Sequence, residues 1–203
     1  MSRVKTAVLI SGRGSNLQAL IDACADPNFP AEIVLVLSNV DGAGGLERAK
    51  KAGIATTVIS HKGRTREDFD AGIDAALRAA GVEIVCLAGF MRILSDGFAR
   101  KWEGRVLNIH PSLLPAFKGV HVHERVLAAG VKVSGCTVHF VVPELDAGPI
   151  VEQARVPVLA GDTPDTLAAR VLVEEHRIYP HALKLLAEGK VKLADGKAVS
   201  APA

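Results

Sequence analysis

The stretch Ala7-Val8-Leu9-Ile10-Ser11-Gly12-Arg13-Gly14-Ser15-Asn16-Leu17 runs from a short apolar segment, through two glycines, into an amphipathic one. Ala7 to Ile10 carries no charge and predicts a buried strand, while Asn16 to Ala25 predicts a helix. A strand that turns into a helix through glycine presents free backbone N–H groups and the positive end of the helix dipole, a geometry that collects an anion such as phosphate. Gly12 and Gly14 are equally explained by a tight turn with Ser15 or Asn16 as the helix N-cap. The loop alone leaves these two readings level. A full dinucleotide fingerprint asks for a third glycine where Leu17 stands, and Asp41 is the nearby acidic candidate for a ribose contact, which weighs against a nicotinamide dehydrogenase.

Outward from this turn, the pattern repeats. Apolar runs at Ile33 to Leu37, Thr56 to Ile59, Ile84 to Ala88 and Val106 to Ile109 alternate with amphipathic segments at Gly45 to Ala52 and Arg66 to Ala80. In the last of these, Phe69, Ile73, Ala76 and Leu77 recur at helical spacing. This rhythm predicts an α/β fold with a doubly wound, mostly parallel sheet. After Pro115 the texture changes: Val131 to Val142 and Ile150 to Val158 read as longer strands joined by a turn from Pro143 to Pro149, an antiparallel excursion. Thr166 to Ala187 reads as helix, with an interruption expected at Tyr179-Pro180. Residues 1–194 are expected to form one domain, and the small, polar stretch 195–203 a flexible tail.

Composition narrows the classes. The 203 residues are 49% apolar and 23% charged, and 24 basic against 22 acidic side chains leave a formal charge of +2. Such a chain can bury a core, which argues against intrinsic disorder, and the near-neutral balance argues against a nucleic-acid footprint. Cys24, Cys86 and Cys136 are odd in number and form no C-x-x-C pair, so reduced thiols are expected. The apolar run after Met1-Ser2-Arg3-Val4-Lys5 is too short for a signal peptide or a membrane span; a cytoplasmic location without membrane partners is the expectation.

The polar chemistry gathers around Asn108-Ile109-His110-Pro111-Ser112-Leu113-Leu114-Pro115, directly after a buried strand. Strand alternation puts Asn108 and His110 on one side, at the carboxyl end where open α/β sheets bind ligands. An amide and an imidazole converging there can donate hydrogen bonds to an oxyanion or move a proton. In isolation, a satisfied core histidine and a strand-end cap are the readings the residues favour. Asp146 lies in the Asp146-Ala147-Gly148-Pro149 turn, where a carboxylate could pair with His110 and fix its tautomer, or simply bond its own turn. His121-Val122-His123 would set two imidazoles on one strand face, but no acidic or Cys residue accompanies them at ligand spacing, so no metal is expected.

Together these blocks carry a resemblance. Val8-Leu9-Ile10-Ser11-Gly12-Arg13-Gly14-Ser15-Asn16-Leu17-Gln18-Ala19, Leu87-Ala88-Gly89-Phe90-Met91-Arg92-Ile93-Leu94, the Asn108 to Pro115 block, and the strand ending at Asp146 to Pro149 resemble, in order and over residues 4–193, the folate-dependent phosphoribosylglycinamide (glycinamide ribonucleotide) formyltransferases. The resemblance implies a Rossmann-like formyltransferase fold. It also implies formyl transfer from 10-formyltetrahydrofolate, as co-substrate, to the amine of 5-phosphoribosylglycinamide, a one-carbon step of purine biosynthesis. By residue-wise match it implies that Asn108, His110 and Asp146 are catalytic, that Gly14, Ser15, Asn16 and Glu175 bind the ribonucleotide, and that Arg66, Met91, Arg92, Ile93, Leu94 and Asn108 hold the folate. Pro143 departs from the family pattern and fixes φ at the entry to the Asp146 turn. Lys118, His121 and His123 receive no role.

Formyltetrahydrofolate deformylase and methionyl-tRNA formyltransferase share the Asn, His and Asp arrangement; the length of this sequence and its charge of +2 are expected to disfavour both. A nucleotide-binding protein without formyl transfer would need the glycine loop but not the aligned trio.

Overall fold

A computed structural model describes residues 2–200. The first five strands, β1 (Val4–Ile10), β2 (Ala31–Ser38), β3 (Thr56–Val58), β4 (Ile84–Leu87) and β5 (Val106–His110), pair in parallel in the order β3-β2-β1-β4-β5. β6 (Val133–Phe140) adds antiparallel to β5, and β7 (Ile150–Pro157) antiparallel to β6, completing a seven-stranded sheet. The expected mostly parallel sheet with an antiparallel excursion is the observed one.

Apolar residues on consecutive positions of β1 explain why the sheet is covered on both faces. Val8 and Ile10 pack with Leu17 and Leu20 of α1 (Ser15–Cys24), Leu46 of α2 (Gly44–Lys51), Val126 of α5 (Val122–Ala128) and Val171 and Leu183 of α6 (Pro164–Ala187). Ala7 and Leu9 point the other way, toward Phe69, Ile73 and Leu77 of α3 (Arg66–Ala79) and Phe98 of α4 (Asp96–Lys101). A strand buried on both faces has no use for alternation, hence the unbroken apolar run. The chain passes from β1 outward to β3, then returns to β4 on the other side of β1. This reversal opens a crevice outside the carboxyl ends of β1 and β4, the place where doubly wound sheets take ligands.

Several local expectations differ from the structure. The N-cap of α1 is Gly14, in the left-handed region at φ 76°, rather than Ser15 or Asn16. A Cβ on Gly14 would lie 2.7 Å from Gly45 Cα, so glycine is required both for the conformation and for the close approach of α2. Helix α6 is not interrupted at Tyr179-Pro180; it runs through Pro180. A capping box between Thr163 and Thr166 starts it, and burial of Leu167, Val171, Ile178, Tyr179, Ala182 and Leu183 outweighs the ~3 kcal/mol cost of an internal proline. The short helices α4 and α5 were not anticipated; His121 and His123 stand at the start of α5, not on a strand.

The expected tail also differs. Lys197–Ser200 form β9, which pairs antiparallel with β8 (Val191–Ala194); residues 201–203 lie outside the described residues. Asp195 and Gly196 both have positive φ, 49° and 69°, as a two-residue Asp-Gly hairpin turn demands.

Tyr179 ties α6 to the middle of the sheet: its wholly buried hydroxyl lies 2.8 Å from the Leu87 carbonyl oxygen and 3.1 Å from that of Leu107. Tyr179→Phe is expected to cost about 1 kcal/mol in denaturant unfolding without altering the fold.

Candidate active site

Two clusters form at the carboxyl edge of the sheet. The first is the turn from β1 into α1. Gly14 leaves the first-turn N–H groups of α1 without a side-chain cap among the described residues. Asn16 Nδ2 donates to Glu175 Oε2 at 2.8 Å, while the buried Asn16 Oδ1 finds no partner among the described residues. Burial pushes the Glu175 carboxyl above its ordinary value, an effect eased by the Asn16 donor. Beside this turn opens a cleft of about 440 Å³, lined by Ser15, Gln18, Asp22, Arg48 and His176 among others. Arg48 is fixed there by donating from Nε to the Arg13 carbonyl at 2.8 Å.

The second cluster sits on β5, β6 and the loops that follow them. In the antiparallel ladder Asn108 lies opposite His139, and His110 opposite Thr137. Asn108 Nδ2 is 3.2 Å from His139 Nε2, and His139 Nδ1 is 2.9 Å from the Phe140 carbonyl oxygen. A carbonyl only accepts, so Nδ1 carries the proton and Nε2 accepts from Asn108. Burial pulls the His139 pKa down and keeps this ring neutral. One N–H of the Asn108 amide is thereby committed, and its second N–H remains for another acceptor.

Asp146, at φ 49°, is carried by the turn between β6 and β7. Its Oδ2 accepts from the Gly119 N–H at 2.9 Å and stands 3.6 Å from His110 Nδ1, while Oδ1 is 3.9 Å from His139 Nε2. His110 Nε2 faces the Phe117 carbonyl oxygen at 2.9 Å. Both nitrogens of His110 therefore face oxygen acceptors. The loop after His110 is anchored from β6 and β7. Thr137 Oγ1 donates to the Ser112 carbonyl at 2.7 Å and accepts from Leu114 N at 3.1 Å, and Gln153 Nε2 donates to the Leu114 carbonyl at 2.9 Å.

The sequence-predicted residues thus fall into three groups. Asn108, His110 and Asp146 are brought together, with His139 as the bridge that sequence reasoning missed; its one sequence signal is an imidazole near the end of a buried, uncharged strand. Gly14, Ser15, Asn16 and Glu175 meet at the α1 turn. Met91 and Ile93 expose 73% and 52% of their surface on the loop after β4, and Arg92 lies over the Phe69 ring, 6.0 Å from its centroid. Large apolar side chains left this open suit a ligand surface. Leu94 differs: its side chain is buried in the core. Arg66 begins α3 and is exposed.

With this geometry in place, a family model described as formyl transferase matches residues 4–183. The chain belongs to the formyl transferase family. It is 48% identical over 192 residues to a phosphoribosylglycinamide formyltransferase of Escherichia coli, covering 94% of this chain and 91% of the relative. It is 57% identical over 194 residues to the bovine trifunctional purine biosynthetic protein adenosine-3, of which it spans 19%. Among solved structures, a glycinamide ribonucleotide transformylase from Symbiobacterium toebii superposes with a TM-score of 0.95 at 45% identity, over 98% of this chain and 95% of that one.

The remaining side chains of this formyl transferase offer little other chemistry. All three cysteines are free and buried; burial pushes Cys24 up to about 11, Cys136 up to about 12 and Cys86 higher still, so none is a thiolate nucleophile at neutral pH. Among the described residues no group of three or more His, Cys, Asp or Glu could hold a metal ion, and no helix is long and apolar enough to cross a membrane.

The Glu175 environment gives a signed prediction. A carboxyl whose pKa is raised by folding loses stability for the fold as it ionises, and loses nothing where it is protonated in both states. Glu175→Gln should raise the thermal midpoint at pH 7 to 8, with the gain shrinking as pH falls and vanishing below the ordinary value of 4.5. Thermal melts across this range check it; a gain independent of pH contradicts it.

Proposed function

We propose that this chain transfers the formyl group of 10-formyltetrahydrofolate to the amine of 5-phosphoribosylglycinamide, giving the formylated ribonucleotide and tetrahydrofolate in cytoplasmic purine synthesis. One observation carries the reading: Asn108, His110, His139 and Asp146 form a connected polar cluster at the carboxyl edge of the same sheet whose first strand ends in an anion-collecting turn. The E. coli relative, matched over nearly its full length, supports it.

In this reading the phosphate rests on the N–H groups of Ser15 and Asn16 beyond Gly14. The buried Glu175 and the unpartnered Asn16 Oδ1 accept from ribonucleotide hydroxyl or amide groups. Met91, Ile93 and the backbone at Leu94 flank the folate, with Arg92 and Arg66 offering charge to its carboxylates. The amine nitrogen attacks the formyl carbon and negative charge grows on the formyl oxygen. The second N–H of Asn108, aimed by neutral His139, donates to that oxygen together with His110 Nε2–H. The tetrahedral intermediate collapses as the carbon–nitrogen bond to folate N10 breaks. The proton lost by the amine reaches N10 with the help of Asp146, whose carboxylate also faces His110 Nδ1 and orients the ring. His110 Nε2 now faces the Phe117 carbonyl, so the formyl oxygen accepts the hydrogen bond of Nε2–H by displacing that carbonyl; Phe117 stands at φ 53° in the left-handed region. No covalent enzyme intermediate and no metal enters the scheme.

The test is an absorbance assay with a 10-formyl folate, with and without phosphoribosylglycinamide. Turnover that requires the acceptor and persists in chelator is expected. His110→Ala and Asp146→Ala should each lower the rate of the chemical step by about 10²-fold or more while the folded state survives. Turnover without acceptor identifies a hydrolase and overturns the reading, as does near-normal transfer in either folded variant.

A further inference from the structure

The two loops assigned above to the two substrates meet at one hydroxyl. Ser11 directly precedes the glycine turn, and its Oγ accepts from the Met91 N–H at 2.8 Å, at the start of the exposed Met91 to Ile93 loop. The same Oγ donates to Asn39 Oδ1 at 2.5 Å. Asn39 follows β2 and is only 4% exposed; its Nδ2 is 3.2 Å from His61 Nδ1. Each bond fixes the next. The amide nitrogen faces the His61 ring nitrogen, which turns Oδ1 toward Ser11; Oδ1 takes the hydroxyl proton, which leaves a lone pair of Ser11 for Met91 N–H. Behind this chain stands an aromatic column: His61 meets Phe69 edge-on at 6.2 Å, Phe69 stacks on Phe90 at 6.3 Å, and Arg92 caps Phe69.

We infer that Asn39 and Ser11 are positioning residues for the folate loop, with Asn39 acting through the Ser11 hydroxyl to set where Met91 to Ile93 lie relative to the phosphate turn. The inference rests on the assignment of those loops proposed above. The phosphate turn itself has separate anchors, since Gly45 N–H donates to the Gly12 carbonyl at 3.0 Å and Arg48 holds the Arg13 carbonyl. Loss of the Ser11 bond therefore loosens the folate side selectively.

Steady-state kinetics on the full chain test this with Ser11→Ala, Asn39→Leu, the double variant and Asn39→Asp. Removing one well-made hydrogen bond corresponds to about a three- to tenfold change. The KM for the formyl folate should rise by that factor in Ser11→Ala and in Asn39→Leu, with the KM for the ribonucleotide changed less than about twofold. The double variant should be no worse than the poorer single variant, because both changes break one chain. Asn39→Asp, which keeps an acceptor for the Ser11 hydroxyl, should recover most of the folate KM. The inference is overturned by an unchanged folate KM in Ser11→Ala, by equal rises in both KM values, or by an Asn39→Asp as impaired as Asn39→Leu. If Asn39→Leu fails to fold, Ser11→Ala decides alone, as it removes a single oxygen. Wild-type protein that transfers no formyl group to the ribonucleotide overturns the functional reading and this inference with it, whereas wild-type turnover with insensitive KM values overturns the inference only.

Discussion

The antiparallel register between β5 and β6 sets Asn108 opposite His139 and His110 opposite Thr137, and the polar site depends on it. A slip of one residue would turn every side chain of one strand to the other face, separating the amide from its imidazole and leaving buried polar atoms unpaired. The register is held on both sides. β5 is locked in parallel to β4, and the loop after it is fastened to β6 and β7 through Thr137 and Gln153. Gly148 guards the turn that carries Asp146: any Cβ there would lie 1.7 Å from the Phe140 carbonyl oxygen, so only glycine lets the turn close onto the end of β6.

What this framework supports is an expensive arrangement. Two imidazoles and a carboxylate lie together with little access to water, and three of the four non-glycine residues at positive φ among the described residues, Phe117, His121 and Asp146, sit in the loops bordering them. Buried polar groups and left-handed backbone both cost stability, and such costs persist where surrounding structure over-determines the geometry. Here the sheet supplies that surplus, through apolar strands buried on both faces and a long helix pinned at Tyr179. The glycine turn at β1 belongs to the same design: it presents N–H groups at the crevice where the strand order reverses, within reach of the loop after β4.

Much of this was legible in the residues. The apolar runs marked the parallel strands, the longer runs after Pro115 marked the antiparallel pair, and Asn108, His110 and Asp146 stood out as polar residues at strand ends and turns. What escaped has physical reasons. His139 looked like one more strand residue because its role comes from a cross-strand partner 31 positions away, and pairing register is non-local. Pro180 read as a break because local propensity ignores the apolar face that holds α6 against the sheet. Residues 195–203 read as a tail, yet Asp195-Gly196 carries the turn signal of the β8–β9 hairpin; its flanking strands are only four residues each, too short to stand out. The two short helices α4 and α5 are too brief to show a periodic stripe.

The chemistry depends on where the formyl oxygen lies, and a crystal structure of the chain with phosphoribosylglycinamide and a non-transferable formyl folate analogue measures it directly. That oxygen should lie within hydrogen-bond distance of Asn108 Nδ2 and His110 Nε2, with the Phe117 carbonyl displaced and the phosphate on the N–H groups of Ser15 and Asn16. A formyl oxygen bound elsewhere, with the Phe117 carbonyl still on His110 Nε2, would contradict a role for Asn108 and His110 as its donors.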